Sequence, residues 1–241
     1  MIGLSIGMAL ACITIVFIGA TVQASIGIGL GMIASPLLLL ADPDFIPAAI
    51  MLAVLPLTLT IAWVDRQHVA PRDVGFAVLG RVPGTIAGAL VVASMSDVVL
   101  AVLVAGSVLL AVVASLTGRL FRPTDRALVV AGLASGFAGT TTGVGGPPMA
   151  LTYQNSDAAT MRATISAFFS IGSVMSIVAL WLAGEIGTRQ LELTALILPG
   201  VALGVITARR VKHLLRPEVV RPAVLVICST AAIALLVETF A

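Results

Sequence analysis

Charge is scarce in this chain: Asp, Glu, Lys and Arg make up 10% of 241 residues, against about 25% in a soluble domain. Cysteine is nearly absent. Cys12 and Cys228 lie far apart in apolar segments, which gives neither a disulfide framework nor a Cys/His metal cluster; they read as small packing residues in helices. There is no HExxH, no pair of acidic residues deep in an apolar run and no Ser/His pair at depth. Without such a constellation an enzyme is not expected, and neither a metal nor a cofactor is called for. The net charge of +2 sits in short segments between apolar runs, so no nucleic-acid partner is expected.

What remains is apolar. Hydrophobic residues make up 59% of the chain and the mean hydropathy is +1.16. Six uninterrupted apolar segments, at 45–64, 74–95, 98–117, 162–184, 191–208 and 222–240, each suit one membrane-spanning helix of about 20 residues. Two further regions, 3–41 and 127–155, are apolar but interrupted by glycine. Each is read as a helix, a break and a shorter helix that turns back. Val22-Gln23-Ala24 has small residues suited to leader cleavage, but no basic residue precedes the apolar run, so a cleaved leader is not expected.

Ten of the 13 basic residues fall in three stretches: Arg66 and Arg72; Arg119, Arg122 and Arg126; Arg209, Arg210, Lys212, Arg216 and Arg221. The positive-inside rule puts all three in the cytoplasm and the N-terminus outside. The second and third share a side only if region 127–155 returns to the face it left, which independently favours a hairpin.

The chain also repeats. Gly27-Ile28-Gly29 and Gly143-Val144-Gly145 are 116 residues apart, and Pro83–Gly88 (PGTIAG) and Pro199–Gly204 (PGVALG) share that offset. The expected fold is an all-α polytopic transmembrane bundle of two inverted repeats, each with one broken hairpin and three full spans. The first repeat is 1–117, a cytoplasmic linker is 118–126 and the second repeat is 127–241. The Pro-Gly-x-x-x-Gly motifs are read as helix-packing surfaces.

A break in lipid leaves backbone groups unpaired, so it persists only against protein or a wet cavity. Glycines permit the turn, and Pro147 and Pro148 suit the first turn of a new helix. The open amides of such a start favour an anion. Candidate substrate-binding residues are therefore Gln23, Ser25, Gly27, Gly29 and Gly31 in the first break, and Thr140, Thr141, Thr142, Gly143, Gly145 and Gly146 in the second. Arg81, the one charge well inside an apolar segment, is either a substrate ligand or a side chain that snorkels to the interface. Arg162 reads as a topology anchor, His68 and His213 as loop residues, and Tyr153, Trp63 and Trp181 as interface anchors. No Asp or Glu lies deep in a span, so no carboxylate proton relay is evident.

The stretches "GIGLGMIASPLLLL" and "SGFAGTTTGVGGPPMALTYQ" resemble the paired signature of the sulfite exporter TauE/SafE family of membrane permeases, and the apolar segments match along nearly the whole chain. Leu30 interrupts what is often a fuller glycine run. The resemblance implies a secondary transporter, an exporter of small sulfur-containing anions such as sulfite or organosulfonates, driven by a proton or sodium gradient and resident in a bacterial inner membrane. An anion channel of the same architecture is the alternative. The candidate partners are the lipid bilayer, the anionic substrate and a second copy of the chain through the lipid-facing surfaces.

Overall fold

The computed structural model describes residues 3–27, 29–116, 123–153, 156–211 and 217–241. Arg119, Arg122, Gln154, Lys212, His213 and Arg216 lie outside the described residues, as does the side chain of Arg221. Among the described residues there is no strand, and ten α-helices follow one another: α1 Ile6–Ile26, α2 Leu30–Ala41, α3 Ala48–Val64, α4 Pro71–Val92, α5 Asp97–Leu116, α6 Asp125–Thr142, α7 Gly146–Thr152, α8 Ala158–Leu182, α9 Thr188–Val211 and α10 Pro217–Phe240. Seven segments, containing α1, α3, α4, α5, α8, α9 and α10, are long and apolar enough to cross a membrane.

Local chemistry sets many of the helix ends. The Ser5 and Thr124 hydroxyls accept backbone N–H bonds at the starts of α1 and α6, and Asp157 does so for α8, filling orphan donors of the first turn. Pro71 opens α4, where a missing N–H costs nothing. The expected breaks are present. Gly27 ends α1 at φ 100° and Gly143 ends α6 at φ 74°, a left-handed cap that L side chains resist.

The helices pack small face to small face and turn their large side chains outward. On α4, Ala77, Gly80, Gly84 and Gly88 face inward, while Leu79, Ile86 and Leu90 are exposed. This is the arrangement expected where lipid solvates bulky chains and close backbone contact drives association. A Cβ on Gly84 would lie 2.2 Å from Leu133 O of α6, and one on Gly132 would lie 2.0 Å from Ala77 O of α4. Gly200 and Gly204 of α9 abut Ile13 and Phe17 of α1 in the same way. Both Pro-Gly-x-x-x-Gly motifs thus hold helices together.

The packing pairs are symmetric under exchange of the first five helices with the last five. α1 packs on α9 and α6 on α4; α2 packs on α10 and α7 on α5; α3 packs on α8. Contacts also fix the direction of each hairpin. α1 and α9 run in parallel, because Gly200 meets Ile13 and Gly204 meets Phe17. The start of α9 therefore lies beside the start of α1, and Arg189 there pairs with Asp42 at the end of α2. The first hairpin returns to the face it left. The second does likewise: Arg72 at the start of α4 pairs with Asp125 at the start of α6, and Asp73 accepts a 2.6 Å bond from Tyr153 beyond α7. Arg66, Arg72, Arg126, Arg162 and Arg209 consequently share one face, with Asp42, Asp44, Asp97 and Glu185 on the other.

Candidate functional site

The two breaks meet. A Cβ on Gly31, in the first turn of α2, would lie 2.1 Å from the carbonyl oxygen of Gly143, so the backbones touch and only glycine fits there. Gln23 braces the first break: its Oε1 accepts a 3.0 Å bond from Leu30 N, capping α2 from within the same hairpin. Beside this contact lies a cavity of about 30 Å3, lined by Gln23, Gly29, Gly31, Met32, Met51, Val54, Arg81, Gly139, Gly143, Val144, Gly145, Gly146, Phe169 and Ser173.

Arg81 dominates its electrostatics. The side chain is 1% exposed, so it does not snorkel. Its Nη1 donates to Ser135 Oγ (3.2 Å) and its Nη2 to Ser176 Oγ (3.4 Å). The Phe168 ring lies 4.9 Å from the guanidinium carbon and the Phe169 ring 6.0 Å. Nε has no partner, and no carboxylate forms an ion pair with Arg81 among the described residues. A buried cation without a counter-ion is costly: Arg at a span centre loses about 2.5–3.5 kcal/mol on insertion scales. Two serines and aromatic faces can offset a cost of that size, but none of them neutralises the charge. Gly172 of α8 makes the room, since a Cβ there would stand 2.1 Å from Nε.

The serines tie Arg81 to the second break. Ser135 Oγ donates a 2.6 Å bond to Gly145 O, and Ser176 Oγ shares a 2.8 Å bond with Thr140 Oγ1. Hydrogen bonds thus link α4, α6, α8 and the Gly143–Gly146 turn beside the cavity.

Of the residues expected from sequence, Gln23, Gly29, Gly31, Arg81, Gly143, Gly145 and Gly146 line the cavity. The other five lie elsewhere. Ser25 donates to Thr21 O of its own helix, and Gly27 packs against the backbone of Arg162. Thr141 and Thr142 donate to Phe137 O and Ala138 O, the back-bonding that hydroxyls adopt inside helices. Thr140 reaches Arg81 only through Ser176. Sequence reasoning passed over Phe168, Phe169, Gly172, Ser173 and Ser176 of α8, whose one trace is a stripe of small and hydroxyl residues from Ser166 to Ser176. Tyr153, expected at the interface, is 1% exposed and bonded to Asp73. Trp63 and Trp181 are exposed. Arg162 is an ion-pair partner of Asp65 at 2.7 Å.

Outside the spans, hydrogen bonds from Thr160 and from the Ala159 amide hold the Asp157 carboxyl down to about 2. Burial pushes the Glu185 carboxyl up.

Seven span-length apolar helices among the described residues define an integral, multi-pass membrane protein, and its two glycine breaks touch beside a buried arginine. The chain belongs to the TauE/SafE family: the family model described as Sulfite exporter TauE/SafE matches residues 11–235. Membership makes it a membrane transporter of sulfite or related anions and sets it among transporters rather than enzymes. No curated protein and no solved structure gives a significant match.

Proposed function

We propose that the protein is a secondary transporter that exports small sulfur oxyanions, sulfite or organosulfonates, by alternating access around the cavity beside Gly31, Arg81 and Gly143. The observation that carries this reading is Arg81: a wholly buried guanidinium with an unpartnered Nε and, among the described residues, no ion pair to a carboxylate. An oxyanion at the cavity would supply the missing charge and accept from Nε. Gln23, Gly145 and Gly146 line the same cavity.

Two features favour a transporter over a channel. The cavity has room for about two water molecules, which is no continuous path for an ion. Two inverted repeats over 1–117 and 127–241, a reading supported by the matching helix pairs of the two halves, would follow the plan on which transporters rock one half against the other. The contrast between a basic face and an acidic face supports export. Anions would gather at Arg66 and Arg209, on the cytoplasmic side of a bacterial inner membrane, and leave past Asp44, Asp97 and Glu185. A proton or sodium gradient would supply the energy.

The test is sulfite binding and flux with purified protein. Sulfite is expected to raise the melting temperature of the wild type and to enter proteoliposomes. Arg81→Gln removes a charge-assisted contact worth about 1.5–3 kcal/mol, so affinity should fall roughly ten- to hundredfold. Unchanged affinity in Arg81→Gln, with the protein monodisperse, would remove Arg81 from the site.

A further inference from the structure

Among the described residues, two largely buried ion pairs join the first five helices to the last five, besides the exposed Arg72–Asp125 pair. Asp65, just beyond α3, meets Arg162 near the start of α8, Oδ2 to Nε at 2.7 Å, with both side chains about 15% exposed. Asp42, just beyond α2, meets Arg189 at the start of α9, and Asp44 lies 3.4 Å from Nε of the same arginine. The pairs stand at opposite ends of α3, whose 17 residues rise about 25 Å. The central cavity lies between them: Met51 and Val54 of α3 line it, facing Phe169 and Ser173 of α8.

Beside each pair lies a further cavity, larger than the central one, on its own face. A cavity of about 50 Å3 holds Asp65, Arg162, Arg209, Thr60 and Ala24 on the basic face. A cavity of about 130 Å3 holds Asp44, Asp97, Glu185 and Gln190 on the acidic face. The pairs are coupled to the hairpins. A Cβ on Gly27 would lie 3.1 Å from Arg162 Cα, so the first break rests on the residue that makes the basic-face pair. Asp42 terminates α2, so the acidic-face pair holds the returning arm of the same hairpin.

We propose that Asp65–Arg162 and Asp42–Arg189 are the two gates of the transport cycle, one on each face, broken one at a time. Each ties one half of the molecule to the other, so breaking one pair frees that end of the half-to-half contact while the other pair acts as the hinge. The structure has both gates closed, which accounts for a central cavity with room for about two water molecules, too few for an oxyanion of four heavy atoms. The inference rests on the transport reading above but predicts something that reading does not: which face each pair controls.

The experiment reads accessibility rather than flux. In a Cys12→Ser/Cys228→Ser background, Val54→Cys places a reporter thiol on the cavity wall, and a membrane-impermeant maleimide is added to sealed vesicles of either orientation. Asp65→Asn is expected to speed labelling at least fivefold from the basic face only, and Arg189→Gln by a similar factor from the acidic face only. Arg162→Gln is a second route to the basic-face gate should Asp65→Asn fail to fold. The swap Asp65→Arg with Arg162→Asp is expected to restore slow labelling. No acceleration in either variant, acceleration from both faces at once, or acceleration from the wrong face overturns the assignment. Sided labelling that persists in Arg81→Gln upholds the gates even where sulfite binding is lost, and sided labelling in a wild type that binds no sulfite upholds the gates while removing the proposed substrate.

Discussion

Arg81 is held by what surrounds it more than by what it bonds. Among the described residues its side-chain hydrogen bonds go to two serines at 3.2 and 3.4 Å, and its position depends on an absence, the missing Cβ of Gly172. Gly172→Ala should therefore act on Arg81 without touching its chemistry. Overpacking of this kind costs about 1–3 kcal/mol, and the guanidinium must swing off its serines. Sulfite affinity measured by thermal shift is expected to fall in Gly172→Ala, with helix content unchanged by circular dichroism. A second residue-scale expectation concerns Asp157 at the start of α8. Its folded carboxyl titrates at about 2, below the ordinary value of 3.8. A depressed acid contributes fully above its ordinary value and loses that contribution as pH falls toward the folded one. The melting-temperature gap between wild type and Asp157→Ala should hold steady above pH 5 and narrow as pH drops from about 4 to about 2.

At the scale of elements, glycine has two distinct jobs in this fold, and they separate by mutation. Along α4 and α6 it permits backbone contact: a Cβ on Gly84 would meet Leu133 O at 2.2 Å, and a backbone oxygen cannot rotate away as a side chain can. Gly106 of α5 has nothing within 4 Å of its Cβ position. Gly84→Ala should lower stability by at least about 1–3 kcal/mol, whereas Gly106→Ala should raise it by about 0.5–1 kcal/mol, because alanine loses less entropy in a helix. Paired thermal melts in detergent check both. At Gly27 and Gly143 the job is the left-handed turn itself, and there the space around the Cβ matters less than the φ angle.

For the molecule as a whole, the halves are interleaved rather than side by side. α1 packs on α9, α6 on α4 and α3 on α8, so each half buries its main helix faces against the other. A fragment of residues 1–117 alone would leave those faces without partners. It is expected to aggregate or be degraded when expressed by itself, and to accumulate as a detergent-stable complex when co-expressed with 118–241. Stable accumulation of the first fragment alone would show that the halves fold independently. Interleaving also explains why ion pairs between halves are suited to gating, since rocking one half against the other loads those contacts first.

Sequence alone determined the membrane environment, the helical class, the two breaks and their hairpins. Each follows from local chemistry: apolar length against bilayer thickness, glycine at a left-handed turn, proline at a first turn. Arg81 was visible for the same reason, as a charge where lipid penalises charge. The tertiary structure decided which breaks touch, that Arg81 is sealed in and not snorkelling, and that Ser25, Thr141 and Thr142 turn their hydroxyls back onto their own helices. It alone brought α8 to the site and paired Asp65 with Arg162 and Asp42 with Arg189, residues 97 and 147 positions apart. A helix carries no mark of its neighbour when its contact face is glycine, alanine and serine, because those residues record close approach without recording to what.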